Sequence, residues 1–138
     1  SDLAIFAIGN TVLPALSAAD LLKKKGVRVT VVNSRFIKPL DDELICALAR
    51  KIGAIVTVEE NVLAGGFGSA ILETLEQNCI EKTKVKRIGV PDTFVEHGPQ
   101  KILREKYCLD ETGIFQTVLH LLGLKEVERA FPARIKII

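Results

Sequence analysis

This sequence predicts an α/β domain with a parallel, doubly wound sheet and helices on both faces, and three observations predict it. Strand-length apolar runs alternate with segments of helical periodicity along nearly the whole chain. Two of the runs, Leu3–Ile8 (LAIFAI) and Ala54–Val58 (AIVTV), are apolar almost throughout, as strands buried on both faces are. Glycines stand where the chain must turn, at Gly9, Gly26, Gly65, Gly66 and Gly68. Strand–helix–strand repetition forces parallel pairing through right-handed crossovers. Four strands in the order 2-1-3-4 satisfy it.

The elements follow in sequence. Leu3–Ile8 is the first strand, and Gly9-Asn10-Thr11 turns into a helix from about Val12 to Lys25. Val12, Leu16, Ala19 and Leu22 make its apolar stripe. Pro14 falls in the first turn, where a missing N–H costs nothing, and Gly26 closes the helix. Val27–Asn33 is the second strand, and SRFIKPL (Ser34–Leu40) is a polar connection. Asp41 caps a helix through Leu44, Ile45, Leu48 and Ile52. Ala54–Val58 is the third strand, and after the glycine turn Ser69 is the expected cap of a helix carrying Ile71, Leu72 and Leu75. Lys84–Val90 (KVKRIGV) alternates more than the others and belongs nearer a sheet edge. Gly98-Pro99 opens a short helix with Ile102 and Leu103. Asp110 caps a last helix with Ile114, Val118, Leu119 and Leu122, which Gly123 ends. The domain is therefore 1–123, and 124–138 is a tail whose ARIKII is a candidate edge strand.

Composition narrows the class. At 138 residues, 48% hydrophobic and 26% charged, the chain has the balance of a soluble globular domain. A net charge of +2 gives no argument for nucleic acid, and no apolar run approaches membrane-spanning length. Cys46, Cys79 and Cys108 lack the spacing of a disulfide framework or a zinc site. They read as buried or half-buried thiols in a reducing compartment, the cytoplasm. The chain has no Met and opens almost at once into a strand, so it reads as a piece of something larger.

The candidate site is the stretch AIVTVEENVLAGGFGS (Ala54–Ser69), because ligands and partners dock at the carboxyl edge of such sheets. Gly65, Gly66 and Gly68 leading into a helix could cradle a phosphate with backbone N–H groups. The run matches neither nucleotide-binding glycine motif, and two carboxylates just upstream repel an anion. A tight turn with close backbone packing is the stronger reading. Glu59 and Glu60 could act as acid or base, but neighbouring strand residues point to opposite faces and are not expected to share a substrate. A buried Glu accepting backbone hydrogen bonds at a domain interface explains the pair at least as well. His97, beside Glu96 and Gly98, could carry a proton or simply begin a helix. Arg35 and Lys38 could bind an anion or bridge to another domain. Lys82, Lys84, Lys86 and Arg87 form a mild basic patch without aromatics. No catalytic set is complete.

SRFIKPLD (Ser34–Asp41), TVEENVLAGGFGS (Thr57–Ser69) and GVPDTFVEHG (Gly89–Gly98) together resemble the C-terminal domains of the transketolase family of thiamine-diphosphate enzymes, from about Asp2 to Leu122. RFIKPLD combined with VPDTFVEHG favours the branch of the 1-deoxy-D-xylulose-5-phosphate synthases. The resemblance implies a three-layer α/β/α fold with a mostly parallel sheet; the family's antiparallel strand before the first strand found here is lacking in this sequence, unless the ARIKII tail takes that edge. The resemblance also implies a non-catalytic third domain that supports a homodimer and packs on the preceding domains of the same chain. Those domains would hold thiamine diphosphate and Mg²⁺, and this piece would bind neither. Arg35, Glu59, Glu60, Gly65, Gly66, Gly68, Ser69 and His97 would then mark an inter-domain crevice. Two alternatives stay open: the C-terminal domain of a transketolase or a 2-oxoacid dehydrogenase β subunit, and a free-standing flavodoxin-like module that binds phosphate or a nucleotide.

Overall fold

A computed structural model describes residues 1–124. The candidate edge strand in the tail lies outside the described residues. The elements are β1 (Leu3–Ala7), α1 (Val12–Lys24), β2 (Val29–Asn33), α2 (Asp42–Ile52), β3 (Ala54–Val62), α3 (Phe67–Gln77), β4 (Lys84–Val90), α4 (Gln100–Lys106) and α5 (Glu111–Leu121), with a single 3₁₀ turn at Gly9–Thr11. The four strands pair in parallel in the order β2-β1-β3-β4, as the alternation predicts.

Strand side chains alternate between faces, and two cores result. On one face Leu3, Ile5, Ala7, Val56, Val58 and Ile88 pack against Ala15, Ala18 and Leu22 of α1 and Ile114, Val118 and Leu119 of α5. On the other, Ala4, Phe6, Ile8 and Ile55 pack against Ile45 and Ala49 of α2 and Phe67, Ile71 and Leu75 of α3. Two such faces make the three layers. β1 is buried along its whole length because it has a strand on each side and helices above and below.

Several expected details change. The buried stripe of α1 is Ala15, Ala18 and Leu22, whereas Leu16 is exposed and Val12 and Ala19 are half-buried. Small alanines let that helix approach the sheet closely, a preference that counting large apolar residues overlooks. Leu44 and Leu72 are likewise exposed. β2 starts at Val29 instead of Val27. β3 runs four residues past the predicted end, because its pairing resumes at Val62 with Val90 beyond an irregularity after Val58. Asp41 and Asp110 cap α2 and α5, accepting from the N–H groups of Leu44 (3.0 Å) and Gly113 (2.9 Å). Cys46 is buried and Cys108 half-buried, but Cys79 is exposed, contrary to the expectation for all three.

Candidate functional site

The extension of β3 carries Glu59 on the same face as Ile55 and Thr57, toward the first turn of α3. Its side chain is 0% exposed, the only acidic residue so buried among the described residues. One carboxylate oxygen accepts from Phe67 N–H at 2.7 Å and the other from Gly68 N–H at 2.8 Å, and Asn61 Nδ2 adds a third contact at 3.3 Å. A helix N-terminus presents unpaired N–H groups and a partial positive charge, and here the protein's own carboxylate meets both. The seat that an external phosphate would need is filled by Glu59.

The glycines make that seat geometrically attainable. A Cβ on Gly66 would lie 2.4 Å from both a Glu59 carboxylate oxygen and the Val62 carbonyl, and one on Gly68 would lie 2.5 Å from the Thr57 hydroxyl. Gly65 supplies the left-handed step of the turn, at φ +68°. The Thr57 hydroxyl beneath Gly68 is buried without a hydrogen-bond partner among the described residues.

Ser69 does not cap α3, because Gly66 holds the cap position and Ser69 lies one turn inside. Its hydroxyl donates to the Leu63 carbonyl at 2.8 Å and accepts from Arg87 Nη1 at 2.8 Å. Arg87 Nη1 also lies 2.8 Å from the Leu63 carbonyl. Arg87 therefore ties β4 to both limbs of the glycine turn. The basic patch expected from sequence groups it with Lys82, Lys84 and Lys86, although the alternation of KVKRIGV separates Arg87 from its neighbouring lysines. Lys84 and Lys86 are exposed, whereas Arg87 shares the face of Val85 toward α3.

Glu60 points the other way. It is exposed and accepts from Arg104 of α4, at 2.9 Å from Nε and 2.5 Å from Nη2. Glu60, Asn61, Gly9, Ser34, Arg35 and Ile37 line a shallow depression of about 270 Å³ over the ends of β1, β2 and β3. Close by, the buried Thr11 hydroxyl accepts from Ile8 N–H at 3.1 Å and donates toward the Val58 carbonyl at 2.9 Å. A larger apolar groove of about 490 Å³ lies beside it, lined by Phe36, Pro39, Leu40 and Leu44 among others.

The eight singled-out residues thus separate into three places. Glu59, Gly65, Gly66, Gly68 and Ser69 build one closed turn, and Arg35 and Glu60 flank a separate open depression. His97 is exposed on the loop after β4 and lines neither. Sequence reasoning missed Arg87, Asn61 and Arg104.

Among the described residues no group of three or more His, Cys, Asp or Glu side chains is placed to hold a metal ion, and no helix is long and apolar enough to cross a membrane.

The chain matches the family described as transketolase, C-terminal domain, over residues 1–114. It is 57% identical over 124 residues to 1-deoxy-D-xylulose-5-phosphate synthase 1 of Geobacter sulfurreducens, covering 90% of this chain and 20% of that protein. It is 50% identical over a 141-residue alignment to the 1-deoxy-D-xylulose-5-phosphate synthase of Heliobacterium modesticaldum, covering 99% and 22%. The chain thus spans about one fifth of the length of these curated relatives. A solved split gene transketolase, described as an inactive beta4 tetramer, superimposes with a TM-score of 0.81 at 38% identity, covering 91% of this chain and 40% of that one.

Proposed function

This chain belongs to the transketolase C-terminal domain family, and from that premise we propose that it is the non-catalytic C-terminal domain of a 1-deoxy-D-xylulose-5-phosphate synthase. The whole enzyme condenses pyruvate with glyceraldehyde 3-phosphate, with release of carbon dioxide, to give the isoprenoid precursor. Thiamine diphosphate and Mg²⁺ sit in the preceding domains of the same chain, which this domain supports within a cytoplasmic homodimer. The names of the curated relatives favour the synthase over a transketolase or a dehydrogenase β subunit.

One observation carries the non-catalytic reading. The Glu59 carboxylate takes the N–H groups of Phe67 and Gly68, so the helix end best placed to hold a diphosphate is spent on the fold. These residues do not fit the cofactor. The same occupancy argues against a free-standing phosphate-binding module. The split gene transketolase neighbour, described as inactive and tetrameric, accords with a domain that assembles without chemistry of its own.

Calorimetry tests the proposal directly. Titration of the 138-residue chain with thiamine diphosphate and Mg²⁺ is expected to give no binding heat, and tight Mg²⁺-dependent binding overturns it. Titration with inorganic phosphate is expected to leave the amide resonances of Gly65–Ser69 in place.

A further inference from the structure

Arg35 stands where two hollows meet. It and Ser34 line both the polar depression of about 270 Å³ and the apolar groove of about 490 Å³ beside it. The groove follows from the order of the sheet. β2 lies at the edge and α2 packs over β1 and β3, so the α2 side of β2 is roofed mainly by the connection of residues 34–40. Phe6, Val32, Leu40 and Ile45 form the inner wall, and Phe36 and Leu44 stand at the rim, 72% and 38% exposed. An apolar hollow with a few polar groups at one end is the usual form of a small-molecule site.

Charge specifies the ligand. Arg35 is exposed and forms no ion pair among the described residues. The carboxylates that line the hollows are engaged elsewhere. Asp41, in the groove, accepts from Leu44 N–H at 3.0 Å as the cap of α2. Glu60, in the depression, is paired with Arg104. Arg35 is therefore the one charged side chain lining either hollow that lacks a partner among the described residues. Ser34 and Asn61 add neutral polar groups on the same side. An anionic head answers Arg35, and an aliphatic chain attached to it answers the groove.

We propose that the two hollows form one binding site for a small amphiphilic anion, an aliphatic chain ending in a phosphate or a carboxylate. The head pairs with Arg35 at the mouth of the depression, and the chain lies along Phe36, Leu40 and Leu44. The site is separate from the Glu59 seat, whose N–H donors are taken. It goes beyond the assembly reading and does not rest on it.

Calorimetry on the 138-residue chain, with octyl phosphate or octanoate well below micelle formation, tests the site. Saturable binding of one molecule per chain is expected, and the tighter of the two probes names the preferred head. Octanol, which keeps the chain without the charge, binds about tenfold more weakly, and inorganic phosphate gives no saturable heat. Arg35→Gln weakens the anion about tenfold and leaves octanol unchanged, whereas Phe36→Ser weakens both about tenfold. Both replaced side chains are exposed, and circular dichroism checks that the fold is kept. Amide resonances of Ser34, Phe36 and Leu44 shift on binding, while those of Phe67 and Gly68 stay in place. Silence of both anionic probes overturns the site, as does binding that Arg35→Gln leaves unchanged. Binding seen only after removal of residues 125–138 gives the groove to the chain's own tail and overturns the proposal. Cosedimentation with phosphatidic acid vesicles, without uptake of the monomeric probes, makes the groove a membrane-facing surface and overturns it too.

Discussion

Two segments at the same end of the sheet, the glycine turn of residues 59–69 and the strap of residues 91–107, solve opposite problems. The turn closes on itself. Its carboxylate, its helix N-terminus and the hydroxyl of Ser69 are satisfied by one another and by Arg87. The strap leaves Phe94 and Ile102 in water and is fastened by exposed charges. The more conspicuous motif is therefore the structural one, and the less conspicuous loop is the one that keeps its apolar side chains exposed. A glycine-rich turn at the carboxyl edge of an α/β sheet invites a ligand reading. It loses that reading once a protein group occupies its N–H donors.

The contrast breaks most visibly at Glu59. Glu59→Ala leaves two buried N–H groups without an acceptor and is expected to cost about 4 kcal/mol, roughly 2 for each. That is a large share of the ~5–15 kcal/mol that holds an ordinary domain together. Urea unfolding of the variant measures it. An unchanged midpoint would mean that the Phe67 and Gly68 N–H groups find water, and that the turn is open to ligands after all.

Arg87→Gln comes next. The variant loses hydrogen bonds to the Leu63 carbonyl and to Ser69, an expected loss of about 2 kcal/mol, with faster amide exchange confined at first to residues 63–70. Exchange that accelerates evenly across the sheet would assign Arg87 to general stability instead of the turn.

What the sequence made legible tracks these same differences. Strand order, the two covered faces and the caps at Asp41 and Asp110 follow from local patterns of apolar runs and capping residues, and they were readable. A buried Glu accepting backbone hydrogen bonds was readable as one of two options, but at a domain interface; that it is Glu59 and that Phe67 and Gly68 are the donors was not, since nothing in VEENVLAGGFG tells which way the carboxylate turns. The role of Arg87 depends on a tertiary contact across 18 residues and was invisible without the alternation of β4. Helix ends show the same limit. Gly26 and Gly123 announced their left-handed closures, but Cys79 and Cys108 adopt the same conformation at φ 53° and 59° and gave no signal. Each is followed by the same return hydrogen bond, from Ile80 N–H to the Leu75 carbonyl and from Leu109 N–H to that of Arg104. Cysteine is an uncommon choice there, so only the backbone reveals it.

On the strap the expected effects are small, because its ion pairs are exposed. Arg104→Ala removes an exposed ion pair and is expected to lower global stability by no more than about 0.5 kcal/mol. It should nevertheless loosen residues 91–106, read as faster proteolysis after Lys101 or Lys106. A loss like that at Glu59 would show the strap to be part of the core, and the two segments would no longer differ in kind.

The smallest expected effect is a pH window, and its sign follows from the pair Glu96–Lys106. The Lys106 ammonium beside Glu96 lowers the carboxyl below its ordinary value of 4.5, and the carboxylate in turn raises the ammonium above its ordinary value of 10.5. A depressed acid contributes above its unfolded value and loses that contribution as pH falls through its folded one. A raised base contributes below its unfolded value and loses that contribution as pH rises through its folded one. The tether is therefore whole across the neutral range and released at both extremes. Resonances of Phe94, Val95 and Tyr107 should shift in two steps, one on the acid side of 4.5 and one on the alkaline side of 10.5, while those of Phe67 and Gly68 follow neither step. Both groups are exposed, so no measurable change in global stability should accompany either step. A shift at Phe67 and Gly68 in concert with Phe94 would show that the strap and the turn move together, and the division between a closed motif and an open surface would fail.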